Sequence, residues 1–183
     1  MKNRKKNILI VVNPQNDFFR SNEAKKIIPE IKNLIKNWTG YIIATVNTHN
    51  MPDYNFSLEH ETYLSHCISG TKGWKINDAI EESLLEHGAY IGYFETPTYG
   101  DSFLPDTIVK ELQIESGDGP LLTFTLVGLR TDTSIISNAL ILRASFPESR
   151  INIYENCCAG TTKEAHDAVI KILKSCQIGV LTS

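Results

Sequence analysis

Short apolar runs alternate with segments of helical spacing along this chain, and that alternation constrains the fold more than any other feature. Residues 7–13, NILIVVN, form a nearly continuous apolar run, which is typical of a parallel strand covered on both faces. Further strands are predicted at residues 41–46, 90–94, 121–127, 150–154 and 178–181. Strands separated by helices favour right-handed crossovers, so the sequence predicts a three-layer α/β/α fold with a mostly parallel central sheet.

The intervening segments carry apolar residues at helical spacing. The first predicted helix includes residues 28–38, with Pro29 in its first turn, and ends at Thr39-Gly40. Residues 117–120, GDGP, predict a turn. The segment 51–73 has weak periodicity and is either a long functional loop or a disordered one, although its aromatic residues favour order. The other helices are predicted at residues 76–85, 104–112, 134–145 and 162–176.

Length and composition fit one globular domain spanning residues 1–183, since the chain shows neither an internal repeat nor a linker. The net charge of −3, with both signs interspersed, argues against nucleic acid or an anionic membrane as the main partner. No apolar run approaches the ~20 residues of a membrane helix, and no cleavable leader is evident, so we expect a cytoplasmic protein. The 4 cysteines lack zinc-knuckle spacing and are expected to be free thiols.

Polar residues follow several of the predicted strands. Asn13, Thr96 and Ser134 each lie just past the carboxyl end of a strand, and Asn47 and His49 follow the second one. In open parallel sheets, ligand sites gather at these ends. We therefore expect these side chains to converge on one site.

Residues 126–140, LVGLRTDTSIISNAL, predict a buried strand that breaks at Gly128, a turn, and an apolar helix that begins near Ser134. The unpaired backbone N–H groups of a helix start suit a nucleophile, an anion or a developing oxyanion. The simpler interpretation is that Ser134 only caps the helix. The turn by itself does not decide between the two.

Several motifs together resemble the isochorismatase-like cysteine hydrolases, nicotinamidases among them. The resemblance covers nearly the whole chain and implies the isochorismatase-like hydrolase fold, no organic cofactor, and a homo-oligomer, either a dimer or a tetramer. The motifs are, in order, IVVNPQNDFF, TVNTHN, LEHETYLSHCISGTKGW, ETPTYGD, VGLRTDTSIISNALILRASFPE and CCAGTTKEAHDAVIKILKSCQI.

The resemblance implies a catalytic triad in which a cysteine attacks an amide carbonyl, an aspartate takes the thiol proton and a lysine supports the charge. These positions fall on Ser134, Asn13 and Thr96, so all of them depart from the pattern. An amide cannot accept a proton at physiological pH, and a serine hydroxyl needs an adjacent base. The thiol mechanism of the family is therefore not available to this chain.

Other acidic residues lie near the site in sequence. Asp17 and Asp132 belong to the family pattern outside the triad and are expected to orient loops. The side chain of Glu95 should point away from that of Thr96, because successive residues of a strand face opposite sides. Asp101 is a further nearby carboxylate. We do not expect any of them to replace the missing base.

The metal site that the resemblance implies is better preserved than the triad. In the nicotinamidase branch, a divalent metal is held by an Asp-x-His pair, a later Glu and a further His, which here correspond to Asn47, His49, Glu59 and His66. Two imidazoles and one carboxylate suit zinc or a similar ion, while Asn47 would bring a carbonyl oxygen without charge. The alternative is that both histidines are polar loop residues satisfied by hydrogen bonds.

The resemblance also assigns residues to the wall of a ligand pocket. Phe18, Tyr99 and Arg130 are predicted to flank a small planar amide or aromatic ligand. Trp74 is a further candidate by position, but ordinary core packing explains it better.

Two functions from different classes follow from these observations. The first is a catalytically degenerate member that keeps the fold, the pocket and a divalent metal site, and binds a ligand without converting it. The second is an active hydrolase of a small, nicotinamide-like carboxamide that uses Ser134 or metal-bound water. The residue at the base position favours the first, because Asn13 is not a carboxylate.

Overall fold

The structure is a computed structural model and describes residues 5–115 and 121–182; the turn predicted at residues 117–120 lies outside them. Parallel strands alternate with helices throughout this part of the chain. The strands are β1 (Lys6–Val12), β2 (Tyr41–Asn47), β3 (Tyr90–Thr96), β4 (Leu122–Leu129), β5 (Arg150–Ala159) and β6 (Gly179–Leu181). The α-helices are α1 (Asn22–Asn37), α2 (Asp78–Glu86), α3 (Leu104–Glu111), α4 (Ile136–Ser145) and α5 (Lys163–Ser175).

The six strands form one sheet in the order β3-β2-β1-β4-β5-β6, and every pairing between neighbours is parallel. Strand order reverses between β1 and β4, because the chain leaves β1 towards one edge and later returns to its other side. A crevice forms outside the carboxyl ends of the strands at such a reversal, and it is the usual ligand site of open α/β sheets. Asn13 directly follows β1 at this point.

Residues of β1 alternate between the two faces of the sheet. Ile8, Ile10 and Val12 pack in a cluster with α3, α4 and α5, whereas Leu9 and Val11 pack in a second cluster with α1 and α2. All of these residues are fully buried. Because both faces are covered, the prediction of a three-layer α/β/α fold is confirmed.

The beginning of α1 differs from its prediction. The helix begins at Asn22, where the Ser21 hydroxyl accepts a hydrogen bond from the Ala24 N–H at 3.1 Å, so Pro29 lies in the helix interior and not in the first turn. Pro29 is exposed, and the buried side chains of Ile27 and Ile31 fix the helix against the sheet on either side of it. Tertiary packing therefore outweighs the local cost of the proline.

The end of β5 also differs from its prediction. The strand continues to Ala159, so Cys157 and Cys158 lie inside it and not in the loop that follows. Both side chains are buried, one in each of the two core clusters. Small apolar thiols suit such positions.

The segment 51–73 is ordered. It contains two short 3₁₀-helices, Asp53–Phe56 and Leu58–Glu61, and Tyr54 anchors it with a side chain that is almost fully buried. The segment thereby lies at the carboxyl end of β2, where it brings distant polar residues together. Among the described residues, no helix has the length and apolar character needed to cross a membrane.

Candidate functional site

The end of β4 approaches β1 unusually closely. Gly128 has a φ of +117°, and a Cβ at this position would lie 2.1 Å from the carbonyl oxygen of Val12. Only glycine tolerates both conditions. A cis peptide joins Leu129 and Arg130, and a π-helical turn, Thr131–Ile135, then leads into α4. This turn places Ser134 beside Asn13.

Asn13 and Ser134 are in direct contact. The Asn13 amide nitrogen donates a hydrogen bond to the Ser134 hydroxyl oxygen at 3.0 Å, and the Thr45 hydroxyl donates to the Asn13 amide oxygen at 3.2 Å. Asn13 and Ser134 are both almost fully buried. Because Asn13 donates to the hydroxyl oxygen, it can neither take the hydroxyl proton nor increase its nucleophilicity.

Thr96 lies at the end of β3 with its side chain bonded within its own loop. Its hydroxyl donates to the Thr98 carbonyl at 3.2 Å and is 3.5 Å from the Gly100 carbonyl. The side chain is buried and carries no charge. It stabilises the loop after β3 and supplies no cation to the site.

The buried thiols of Cys67 and Cys157 offer no substitute nucleophile. Cys67 is fully buried, and burial raises the pKa of its thiol, as does the nearby carboxylate of Asp17. Burial likewise raises the pKa of Cys157 to about 12. Since the thiolate is the reactive form, both thiols are unreactive at neutral pH.

The acidic residues near the site have local roles. Asp17 accepts a hydrogen bond from the Cys67 N–H at 2.8 Å, and Asp132 accepts one from the Thr161 N–H at 2.8 Å. Asp101 accepts from the Phe103 N–H at 2.9 Å, and burial raises its pKa. Glu95 is exposed on the strand that buries Thr96. The three aspartates therefore hold loops in place, as the sequence suggested for Asp17 and Asp132.

Asn138 supports the site and was not identified from the sequence. Its side chain is fully buried; its amide nitrogen donates to the Ser134 carbonyl at 2.9 Å, and its amide oxygen accepts from the Asp101 N–H at 3.0 Å. It therefore joins the turn after β4 to the loop after β3. The available signal was a polar residue within the apolar segment ISNALIL, because a buried amide must find partners.

His49, Glu59 and His66 form a compact cluster at the carboxyl end of β2. The Glu59 carboxylate lies 3.3 Å from His66 Nε2 and 3.6 Å from His49 Nε2, and the candidate ligand atoms all lie within 4.8 Å of one another. The three side chains are largely buried. Such a group of nitrogen and carboxylate donors matches the ligand types of a zinc site.

Both histidines direct Nε2 at the Glu59 carboxylate. His66 Nδ1 is 3.0 Å from the Leu64 carbonyl, which can only accept, so Nδ1 donates this hydrogen bond and Nε2 is the ring nitrogen that faces the cluster. Burial lowers the pKa of His49 more strongly than the Glu59 carboxylate raises it, and His66 lowers it further. Burial thus favours the neutral form of His49, which is the form that binds a metal, and the Leu64 carbonyl bonded to His66 Nδ1 fixes the orientation of that ring.

Several polar atoms here are buried without a hydrogen-bond partner among the described residues, namely His49 Nε2, Glu59 Oε1 and Asn47 Oδ1. The backbone of Asn47 is held on both sides by Gln15, which accepts from its N–H at 2.7 Å and donates to its carbonyl at 2.8 Å. Unpaired buried polar atoms are costly, and a metal ion would satisfy those of the cluster. The residues therefore fit a divalent cation.

A cavity of about 240 Å³ lies next to this cluster. Glu59 and His66 belong to its wall, as do Phe18, Tyr99 and Arg130, the predicted pocket residues. The described residues that line it include neither Asn13 nor Ser134. The remaining lining residues are Asp17, Arg20, Thr62, Tyr63 and Leu64.

Trp74 lies away from this cavity. Its indole N–H donates to the Thr48 hydroxyl at 2.8 Å, and its ring contacts that of Tyr93 edge-on at 6.4 Å. It packs in a separate cleft with Ile76 and Glu81. Trp74 is half-buried and belongs to neither core cluster, so it is not part of the cavity wall, and the predicted core packing is not observed either.

Comparison with known proteins identifies a family and several solved structures that this chain resembles. The family model described as the Isochorismatase domain matches residues 7–183. The nicotinamidase/pyrazinamidase of Bacillus subtilis is 23% identical with a TM-score of 0.75, covering 96% of this chain and 98% of that one. No curated protein matches the sequence.

Two other solved structures have the same fold and contain ligands. The pyrazinamidase of Pyrococcus horikoshii, in complex with zinc, is 18% identical with a TM-score of 0.74, covering 97% of this chain and 99% of that one. A protein from L. infantum in complex with nicotinate is 14% identical with a TM-score of 0.78, covering 97% and 93% of the two chains.

Proposed function

The chain belongs to the isochorismatase family, and on that premise we propose that it is a catalytically degenerate member that binds a small planar ligand and a divalent metal without turnover. One observation carries the proposal. The residue at the base position, Asn13, donates a hydrogen bond from its amide nitrogen to the Ser134 hydroxyl oxygen at 3.0 Å. A general base must instead accept the proton of that hydroxyl.

The surroundings of Ser134 support the same conclusion. Its side chain is 2% exposed, and Thr96 contributes a hydroxyl bonded to its own loop where the family pattern has a cation. Removing one member of a catalytic unit commonly costs several powers of ten in rate. Here the base, the cation and the thiol are all replaced, so none of the three groups that the family's reaction uses is present.

The proposed metal ligands are His49 Nε2, His66 Nε2 and the Glu59 carboxylate, with the Asn47 amide oxygen as a neutral fourth donor. The mutual distances of the first three and the unpaired buried atoms support this assignment. A bound divalent ion would attract electron-rich ligand atoms at the cavity wall. The zinc complex of the Pyrococcus horikoshii pyrazinamidase makes zinc the first ion to test.

The ligand class follows from the cavity. Phe18, Tyr63 and Tyr99 give it flat aromatic surfaces, and its volume of about 240 Å³ suits a single-ring molecule. The nicotinate complex of the L. infantum protein supports this choice. Homo-oligomerisation and a cytoplasmic location remain predictions from the family resemblance and the sequence.

The decisive experiment is a turnover assay. Purified protein supplied with zinc is incubated with nicotinamide and a panel of small amides, and ammonia release is measured. We expect no release above background. Turnover that disappears in Ser134→Ala or His49→Ala, but persists in the control Ser137→Ala, would instead establish the active hydrolase. Ser137 is a suitable control because it lies in α4 and its hydroxyl donates to the Thr133 carbonyl.

A further inference from the structure

Arg130 occupies a defined position in the cavity wall. Its guanidinium carbon lies 5.7 Å from the ring centre of Phe18 and 5.7 Å from that of Tyr63. One of its terminal nitrogens donates to the Thr161 hydroxyl at 3.2 Å. Two aromatic rings and one hydrogen bond therefore orient the guanidinium, which lowers the entropy cost of using its remaining N–H groups.

The other charges of the cavity are matched by opposite charges or by coordinating groups. Asp17 forms an ion pair with Arg20, and Glu59 lies between the imidazoles of His49 and His66. Among the described lining residues, Arg130 is the charged one without an oppositely charged side chain within 4.0 Å. Its one side-chain hydrogen-bond partner, Thr161, is neutral. The guanidinium of Arg130 is therefore not engaged in an ion pair within the described part of the chain.

We infer that Arg130 makes this cavity selective for single-ring carboxylates over the corresponding neutral amides, an inference that rests on the proposed ligand-binding function. A guanidinium presents paired N–H donors whose spacing matches a carboxylate, whereas an amide offers one oxygen and no charge. The aromatic side chains Phe18, Tyr63 and Tyr99 supply the apolar surface for the ring. The ligand is thereby anionic and planar.

The replaced triad is compatible with an anionic ligand. Asn13 and Ser134 do not line the cavity, and neither carries a charge that would oppose an anion bound in it. The cavity therefore favours the acid that an amidase of this family would release as product over the amide that such an enzyme would take as substrate. This preference suits a protein that senses or sequesters an aromatic acid.

Calorimetric titrations with nicotinate and nicotinamide test the inference. The two probes share one ring, so any contact of the ring nitrogen with a metal contributes to both and cancels in the ratio of affinities. We expect nicotinate to bind roughly ten- to a hundredfold more tightly, as for a hydrogen-bonded charged group. Equal affinities, tighter binding of nicotinamide, or no binding of either probe would overturn the inference.

Two matched variants show which arginine causes the preference for nicotinate. Arg130→Met keeps the apolar stem and removes the guanidinium, so the ratio of nicotinate affinity to nicotinamide affinity should fall to about one. Arg20→Met removes the same charge from the same cavity, but Arg20 is exposed and already paired with Asp17, so the preference should persist. Loss of the preference in both variants would show a general charge effect and overturn the role of Arg130.

The outcomes separate this inference from the proposed function. Ammonia release from nicotinamide would contradict the non-catalytic assignment, whereas the affinity ratio measured in Ser134→Ala would still test Arg130. Conversely, an inactive protein that binds both probes equally would retain the proposed function and lose this inference. Unchanged thermal unfolding of Arg130→Met confirms that the variant is folded; if it unfolds, Arg130→Gln replaces it with the same expected loss of preference.

Discussion

At the scale of single residues, the contact between Asn13 and Ser134 decides which chemistry the site can perform. The two side chains lie at hydrogen-bond distance, 3.0 Å, as a base and a nucleophile would. What differs is the direction of the hydrogen bond, because an amide nitrogen donates where a carboxylate would accept. This direction of the hydrogen bond is the basis of the proposal that the chain binds its ligand without turnover.

Restoring the family residues tests whether the scaffold is intact. We expect the triple variant Asn13→Asp, Thr96→Lys, Ser134→Cys to hydrolyse nicotinamide at least roughly a hundredfold faster than the unmodified chain, since a positioned general base commonly contributes that much. Ammonia release and nicotinate formation measure the rate.

The matched control keeps Asn13 and carries only Thr96→Lys and Ser134→Cys. It supplies the thiol and the cation without the base, so it should remain close to background. If the folded triple variant is no faster than this control, the base is not what the site lacks and the pocket itself has changed. Far-ultraviolet circular dichroism establishes that both variants are folded.

At the scale of structural elements, the junction between β4 and α4 is the most constrained part of the site. It combines the close approach of Gly128 to Val12, the π-helical turn and the buried Asn138, which bonds to the Ser134 carbonyl. Each of these depends on a neighbouring strand or loop. The position of Ser134 is therefore set by packing more than by the local sequence of the turn.

Gly128→Ala tests that constraint. The added Cβ would lie 2.1 Å from the Val12 carbonyl oxygen, and alanine is strained at a φ of +117°. We expect a loss of roughly 3 kcal/mol or more in the free energy of unfolding, measured by urea denaturation.

Gly88→Ala is the matched control, because a Cβ at that position meets no atom within 4 Å. Its free energy of unfolding should stay within about 0.5 kcal/mol of the original value. Equal effects of the two substitutions would show that β1 and β4 are not in close contact at Gly128.

At the scale of the whole molecule, the metal cluster joins the end of β2 to the ordered segment 51–73. His49 follows β2, while Glu59 and His66 come from the segment itself. The cluster forms only in the folded chain. A cation bound there would stabilise the native state against unfolding through mass action.

Zinc should therefore raise the midpoint of thermal unfolding. At a zinc concentration about a hundredfold above the dissociation constant, the stabilisation is about 2.7 kcal/mol. Scanning calorimetry with zinc and with a chelator measures the shift, which should vanish in His66→Ala. The control His60→Ala removes an exposed histidine from the same segment and should keep the shift. A shift that is equal in both variants would contradict the assignment of the ligands.

The sequence predicted the alternation of strands and helices and the three-layer fold. It could do so because the spacing of apolar residues shows which face of each element is buried. The positions of Asn13 and Ser134 past their strands also followed from the sequence, whereas β3 is longer than predicted and includes Thr96 as its last residue. The start of α1 did not, since Pro29 favoured a first turn locally and packing of Ile27 and Ile31 placed it in the interior. The length of β5 was missed for a related reason. The pair Cys157-Cys158 does not by itself predict a strand, and only its packing against neighbouring elements places it in one.

The amino-acid sequence specifies which functional groups reach this crevice, because chemical identity is a property of the chain. How those groups are paired depends on the tertiary structure. It directed the Asn13 amide towards the Ser134 hydroxyl, compensated Asp17 with Arg20, left Arg130 without a counter-charge, and gathered His49, Glu59 and His66. Such pairings depend on distances between residues far apart in the chain, and packing of the sheet and its loops sets those distances.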